Sequence, residues 1–349
     1  MLENGTAINL TISFHTFGRL NARKSNVVWV CHALTANSNV EEWWDGLFGT
    51  HRLFDPDEYF IVCANSLGSC YGTTGPLSDE NDGPLLDCFP AITTRDMSRA
   101  HDVLRRHLGL DSIYTLIGAS LGGQQALEWA IESPNLFENL ILIATNAHHS
   151  AYGIAFNESQ RTAIYNDRTF GNGQLNGGKE GLALARSIAM LSYRSYEGYE
   201  KTQSESSNQY LNAFRASTYQ NYQGKKLADR FCAYSYVTLS KAMDAHNVGR
   251  DRVSIECALK EIKASTLVIG ISSDSLFPTN EQKTLANHIH DADYVEIHSD
   301  FGHDGFLIET EKLESLISDF LRKEYGQIRP TVFKSTVKKN ELMNLVANR

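Results

Sequence analysis

Six apolar, largely β-branched runs recur along the 349 residues: "NVVWVCHA" (26–33), "YFIVCANS" (59–66), "SIYTLIGAS" (112–120), "NLILIATNA" (139–147), "STLVIGISSD" (265–274) and "DYVEIHSD" (293–300). They are continuous rather than alternating, so each asks for burial on both faces, as strands of a covered parallel sheet do. Parallel neighbours need long crossovers, and helical patterns supply them. "TRDMSRAHDVLRRHLGL" (94–110) follows a Thr93 cap, and "GGQQALEWAIESP" (122–134) stops at Pro134. The alternation predicts an α/β fold with a mostly parallel, doubly wound sheet.

The rhythm fails between about Ala147 and Ala258, a polar stretch rich in Tyr, Asn and Ser, before a strand returns at Ser265. The expectation is a core made of residues 1–146 and 259–325, with a helical lid inserted at 147–258 over the sheet's carboxyl edge. The last stretch, 326–349, carries Pro330 and several lysines and belongs to no strand; it is expected to be a tail or a peripheral helix.

Charge and cysteine usage narrow the partners. Lys and Arg number 32 against 41 Asp and Glu, a formal charge of −9. Nucleic acid and anionic membranes both need a basic face, so small molecules are the expected partners. The six cysteines are scattered without a CxxC pair, and Cys31 and Cys63 fall in strand runs, which predicts free buried thiols and no metal site. The N-terminus lacks a signal-peptide pattern, and no apolar run is long enough to span a bilayer. A cytoplasmic protein is expected.

The third run ends in Gly118-Ala119-Ser120-Leu121-Gly122 and passes directly into a helical pattern. Strand, G-x-S-x-G and helix in that order place a serine on a sharp turn at the top of a sheet, exposed as a nucleophile; a purely structural turn is the alternative. A hydroxyl is a weak nucleophile at neutral pH, so it needs a base and a group that orients the base. In this arrangement the acid and the histidine follow the serine in chain order, each just past a strand. Asp274 and His303 fall there. Asp274 also suits the cap of a helix starting near Pro278, and His288, His290 and His298 compete with His303, though none follows a strand end as His303 does. An oxyanion needs backbone donors: the Leu121 N–H after the serine, and the Leu34 N–H in the loop His32-Ala33-Leu34-Thr35 after the first run.

Nine blocks can be marked, the elbow's own "GASLGGQQALEWA" (118–130) being one; the others are "HALTANSNVEEWWDGLFG" (32–49), "CANSLGSCYGTTGPLS" (63–78), "FPAITTRDM" (89–97), "IAFNESQRTAI" (154–164), "GLALAR" (181–186), "AYSYVTLSKAMD" (233–244), "SDSLFP" (273–278) and "GHDGFL" (302–307). In this order, from about Leu2 to Leu321, the chain resembles the homoserine O-acetyltransferases. The resemblance implies an α/β-hydrolase fold with a helical lid, a homodimer through lid helices, and ping-pong transfer of acetyl from acetyl-CoA to the L-homoserine hydroxyl, with no permanently bound cofactor. It implies Ser120, Asp274 and His303 as the triad and Leu34 and Leu121 as oxyanion positions. It also implies Arg186 and Asp304 as the residues that hold the acceptor amino acid. Taken alone, Arg186 reads as a solvated lid residue and Asp304 as a loop acid. Succinyl-CoA as donor, L-serine as acceptor, a carboxylesterase and a non-enzymatic binding module are the rival readings.

Overall fold

A computed structural model describes residues 1–79, 83–207, 209 and 211–324; the expected tail at 326–349 lies outside them. Seven strands form one sheet: β1 (Phe14–Phe17), β2 (Val27–Cys31), β3 (Phe60–Ala64), β4 (Ile113–Ala119), β5 (Phe137–Ile143), β6 (Ser265–Ile271) and β7 (Ala292–Ile297). Their order is β1-β3-β2-β4-β5-β6-β7. All neighbours run parallel except β1, which is antiparallel to β3. The six apolar runs are β2 to β7. The strand β1 was not anticipated: "FHTF" is short and mostly exposed, so it carries little apolar pattern.

The helices are α1 (Val40–Trp43), α2 (Thr94–His107), α3 (Leu121–Glu132), α4 (Ala151–Tyr165), α5 (Lys179–Tyr193), α6 (Tyr196–Gln203), α7 (Arg215–Ala228), α8 (Ala233–Asp244), α9 (Ile255–Leu259), α10 (Thr279–His288), α11 (Gly305–Ile308) and α12 (Thr310–Glu324). A reciprocal capping box starts α2: the Thr93 side chain accepts from the Asp96 N–H, and the Asp96 carboxylate accepts from the Thr93 N–H. Each face of the sheet has its own core. Trp29, Leu116 and Leu140 pack against Leu127 and Trp129 of α3, while Val28, Ile117 and Ile269 pack against Leu313 and Ile317 of α12. Full burial of one such side chain stabilises by about 1.5–3 kcal/mol.

Helices α4 to α8 all lie between β5 and β6. The two ends of this excursion are stitched together, His149 N–H to the His246 carbonyl at 3.0 Å and Val248 N–H to the Ala147 carbonyl at 2.9 Å. Leu182 and Ala185 of α5 and Tyr236 of α8 share an apolar cluster with Leu34, Leu121 and Phe277. The excursion therefore packs on the carboxyl edge of the sheet, where the loops after β2, β4 and β6 converge.

Candidate active site

Ser120 sits between β4 and α3 with φ 55° and ψ −126°, a left-handed conformation that strains a non-glycine residue. Its neighbours are small because the turn has no room. A Cβ on Gly118 would lie 2.3 Å from the Gly122 carbonyl oxygen, and one on Gly122 only 2.0 Å from the Cys31 carbonyl oxygen. The Thr145 hydroxyl, on the loop after β5, donates to the Ser120 carbonyl at 2.9 Å.

The structure brings Ser120, His303 and Asp274 into one hydrogen-bonded chain. The Ser120 hydroxyl is 2.9 Å from His303 Nε2, and His303 Nδ1 is 2.7 Å from Asp274 Oδ2. A carboxylate accepts only, so Nδ1 carries the imidazole proton and Nε2 is left to accept from the serine. The other oxygen, Asp274 Oδ1, accepts the backbone N–H groups of Leu276 and Phe277, each at 2.9 Å, which aims the carboxylate. Those bonds order the turn before α10, whose N-cap is Pro278 and not Asp274. Phe277 stacks on the imidazole with centroids 4.9 Å apart, and Phe306 meets it edge-on at 5.4 Å. All three members of the chain are buried. The competing histidines are elsewhere: His288 bonds to the Thr284 carbonyl of its own helix, and His298 faces Ser272.

Leu121 opens α3, so its N–H has no intrahelical acceptor. Leu34 follows Ala33 in a turn closed by Ala36 N–H to the Ala33 carbonyl at 3.0 Å. Among the described residues, neither the Leu34 nor the Leu121 N–H has an acceptor.

In α5, the Arg186 guanidinium lies over the Tyr193 ring at 5.1 Å, and that ring is 5.7 Å from the His303 ring. Among the described residues no carboxylate forms an ion pair with Arg186. Asp304, beside His303, has a partner that the sequence did not point to: Arg194 Nε approaches Oδ2 at 2.9 Å. The N–H is not aimed along that line, so the contact is ionic rather than a directed hydrogen bond. Tyr199 stands among these charges, and burial pushes its phenol up to about 12. On the far side of Asp274, burial pushes the Glu281 carboxyl up to about 7, and the Asp274 charge acts in the same direction. Asn146 Nδ2 donates to Glu281 at 2.9 Å. Tyr193 lies 110 residues before His303 and Arg194 110 before Asp304 in the sequence, and no local pattern announces them.

No cluster of metal-binding side chains occurs among the described residues. All six cysteines are free thiols. No helix among the described residues is long and apolar enough to cross a membrane.

A mostly parallel sheet that delivers a strained serine, an aspartate and a histidine past the carboxyl ends of β4, β6 and β7 defines a protein of the α/β-hydrolase fold, and the family model described by that fold matches residues 26–310. A homoserine O-acetyltransferase of Cyclobacterium marinum is 49% identical over 328 residues, covering 93% of each chain. Together these place the chain in the homoserine O-acetyltransferase family of α/β hydrolases. Among solved structures, a homoserine O-acetyltransferase from Bacillus anthracis superposes with a TM-score of 0.83 at 25% identity, over 92% of this chain and 94% of that one. The esterase E22 superposes as well, at 0.82 and 23% identity, over 92% of this chain and 96% of that one. Backbone likeness therefore does not separate transferase from esterase, and the side chains around the serine must.

Proposed function

We propose that this chain transfers an acetyl group from acetyl-CoA to the hydroxyl of L-homoserine, giving O-acetyl-L-homoserine for methionine synthesis, by a ping-pong mechanism at Ser120. His303 Nε2 takes the Ser120 proton as Oγ attacks the thioester carbonyl. The Leu34 and Leu121 N–H groups hold the oxyanion, and collapse expels the CoA thiolate, which takes the proton from His303. The homoserine hydroxyl then enters, loses its proton to the same Nε2 and attacks the acetyl-serine; the second collapse returns that proton to Ser120. Asp274 fixes the imidazole tautomer and stabilises the cation in both halves. The lid, residues 147–258, excludes water while the acyl-enzyme lives. Acetyl-CoA is a co-substrate, and no cofactor is bound permanently. We assign the protein to the cytoplasm, as a homodimer formed through lid helices; exposed Leu184 and Leu191 on α5 and Tyr222 on α7 support that assembly.

The observation that carries this reading is the unpaired Arg186 guanidinium, one aromatic ring away from His303, on the side where Asp304 stands. A guanidinium grips an α-carboxylate through two parallel hydrogen bonds and a carboxylate receives an α-ammonium; ester hydrolysis needs neither. Replacing Arg186 by Ala removes the carboxylate grip and leaves the acylation machinery. Transfer to homoserine should fall by about 10²-fold or more in kcat/KM, with hydrolysis of p-nitrophenyl acetate held within about three-fold. Equal loss in both reactions, or loss in neither, would remove the acceptor assignment.

A further inference from the structure

Gln125 lies one helical turn beyond Leu121 in α3, with its side chain fully buried. Its Nε2 donates to two carbonyls, those of His32 and Leu121, each at 3.3 Å. These carbonyls belong to the two backbone segments that carry the Leu34 and Leu121 N–H groups. One amide therefore spans both halves of the oxyanion site. Its Oε1 accepts from His101 Nε2 at 3.0 Å and from the Ser66 hydroxyl at 3.1 Å. Ser66, on the loop after β3, also donates its backbone N–H to His32 Nε2 at 2.9 Å, and His32 Nδ1 donates to the Ala33 carbonyl at 2.8 Å. The Trp29 indole N–H reaches His101 Nδ1 at 3.4 Å.

Both imidazole protons in this chain have one place to be, while the Ser66 hydroxyl lies 3.1 Å from Gln125 Oε1 and equally 3.1 Å from His32 Nε2. A backbone N–H only donates, so His32 Nε2 is bare and its proton is on Nδ1; the indole only donates, so His101 carries its proton on Nε2. Burial pushes both imidazoles down to about 4, which keeps them neutral at neutral pH. None of these side chains takes part in the proton transfers at Ser120. Packing alone does not call for them, since polar groups buried at a helix–sheet contact cost free energy that apolar ones would not.

We propose that Gln125, tied in place by Ser66, His32 and His101, is a positioning residue that sets the separation of the two oxyanion donors. The inference rests on the acyl-enzyme reading of Ser120. Oxyanion donors accelerate a reaction only when aimed at the place the oxygen occupies in the tetrahedral intermediate. The Leu121 N–H is fixed by the first turn of α3, but the Leu34 N–H is on a loop, and a loop needs a tether to a rigid element to hold that aim. Gln125 ties the loop's first carbonyl to the helix that presents the serine.

The test compares Gln125→Met, which keeps the length and removes all four side-chain hydrogen bonds, with Ser66→Ala, which removes a single hydroxyl. Each is assayed for acetyl transfer to L-homoserine, for hydrolysis of p-nitrophenyl acetate, and for inhibition by a methyl trifluoromethyl ketone that forms a tetrahedral adduct with Ser120. The expected result is a kcat lower by about 10–100-fold for Gln125→Met and about 3–10-fold for Ser66→Ala in both reactions, with KM within about two-fold. Inhibitor affinity should weaken by the same factor as kcat. A lowered melting temperature with kcat and inhibitor affinity unchanged in the folded variants would reduce the network to a structural one and overturn the proposal. Should Gln125→Met not fold, Ser66→Ala decides by the same criterion. If wild-type protein hydrolyses the ester without acetylating homoserine, the acceptor reading fails and the ester and inhibitor arms still decide the positioning role.

Discussion

Asp274 shows how much one side chain's orientation determines. Its two oxygens divide the work, Oδ1 held by two backbone N–H groups and Oδ2 facing His303 Nδ1. Asp274→Asn keeps the shape but can turn an amide N–H toward Nδ1, which forces the proton onto Nε2 and leaves the serine without an acceptor. A fall in kcat of about 10³–10⁴-fold is expected with the fold intact, measured as steady-state transfer alongside near-UV circular dichroism; a loss below ten-fold would deny Asp274 its role in fixing the His303 tautomer. Ser120→Ala should abolish formation of an acetylated Ser120 peptide when acetyl-CoA is added alone, read by peptide mass spectrometry; acetylation of another residue with transfer unimpaired would relocate the nucleophile. Ser120, Asp274 and His303 were legible because each is announced locally, by small residues around a turn or by the end of an apolar run. Tyr193, Arg194 and Gln125 were not. Their importance comes from partners that only the tertiary fold brings near, such as Arg194 against Asp304.

Among the elements, the contact between α3 and β2 is the tightest constraint near the site, and it gives a prediction whose sign separates two effects. By helix propensity alone Gly122→Ala stabilises, by up to about 1 kcal/mol. A Cβ there would stand 2.0 Å from the Cys31 carbonyl oxygen, a backbone atom that cannot swing away. Overpacking therefore wins, and the variant should lose about 1–3 kcal/mol in urea unfolding with the m-value unchanged; a gain in stability would show that the helix can lift off the strand freely. The same geometry explains why β2 to β7 were readable and β1 was not. A strand buried on both faces writes its burial into consecutive apolar residues, whereas β1 lies exposed on the edge of the sheet and is specified by pairing with β3. The helices between β5 and β6 were legible only as an interruption, because their buried positions include many polar or small residues, such as Ser235, Ser240, Asn157 and Gln160, that break the apolar pattern.

Across the whole molecule, four buried histidines, His32, His101, His149 and His246, should make the chain's stability depend on pH. Burial pushes His32, His101 and His246 down to about 4 and His149 to about 3. Between pH 6.5 and about 4 the unfolded chain binds protons at these positions that the folded chain refuses. Stability should therefore fall as the pH drops through that window, by up to about 1.4 kcal/mol per pH unit for each histidine. Glu281 opposes this, because its raised folded value lets the native state keep a proton that the unfolded chain loses above pH 4.5, so its contribution declines as the pH rises toward 7. With four histidines against Glu281 and Asp244, whose carboxyl burial also pushes up, urea unfolding at pH 5 should show a loss of about 3 kcal/mol or more relative to pH 7.5; equal stability at the two values would mean that the histidines titrate normally. The proposed function divides the labour at this scale between a core that would make an acyl-enzyme and an inserted helical segment that would choose who receives the acyl group. The most direct measurement is thiol release from acetyl-CoA by the purified protein, with and without L-homoserine, and with L-serine or succinyl-CoA in parallel. Release that depends on L-homoserine and favours acetyl-CoA is the predicted result. Equal release in the absence of any amino acid would make water the acceptor and contradict the transferase reading.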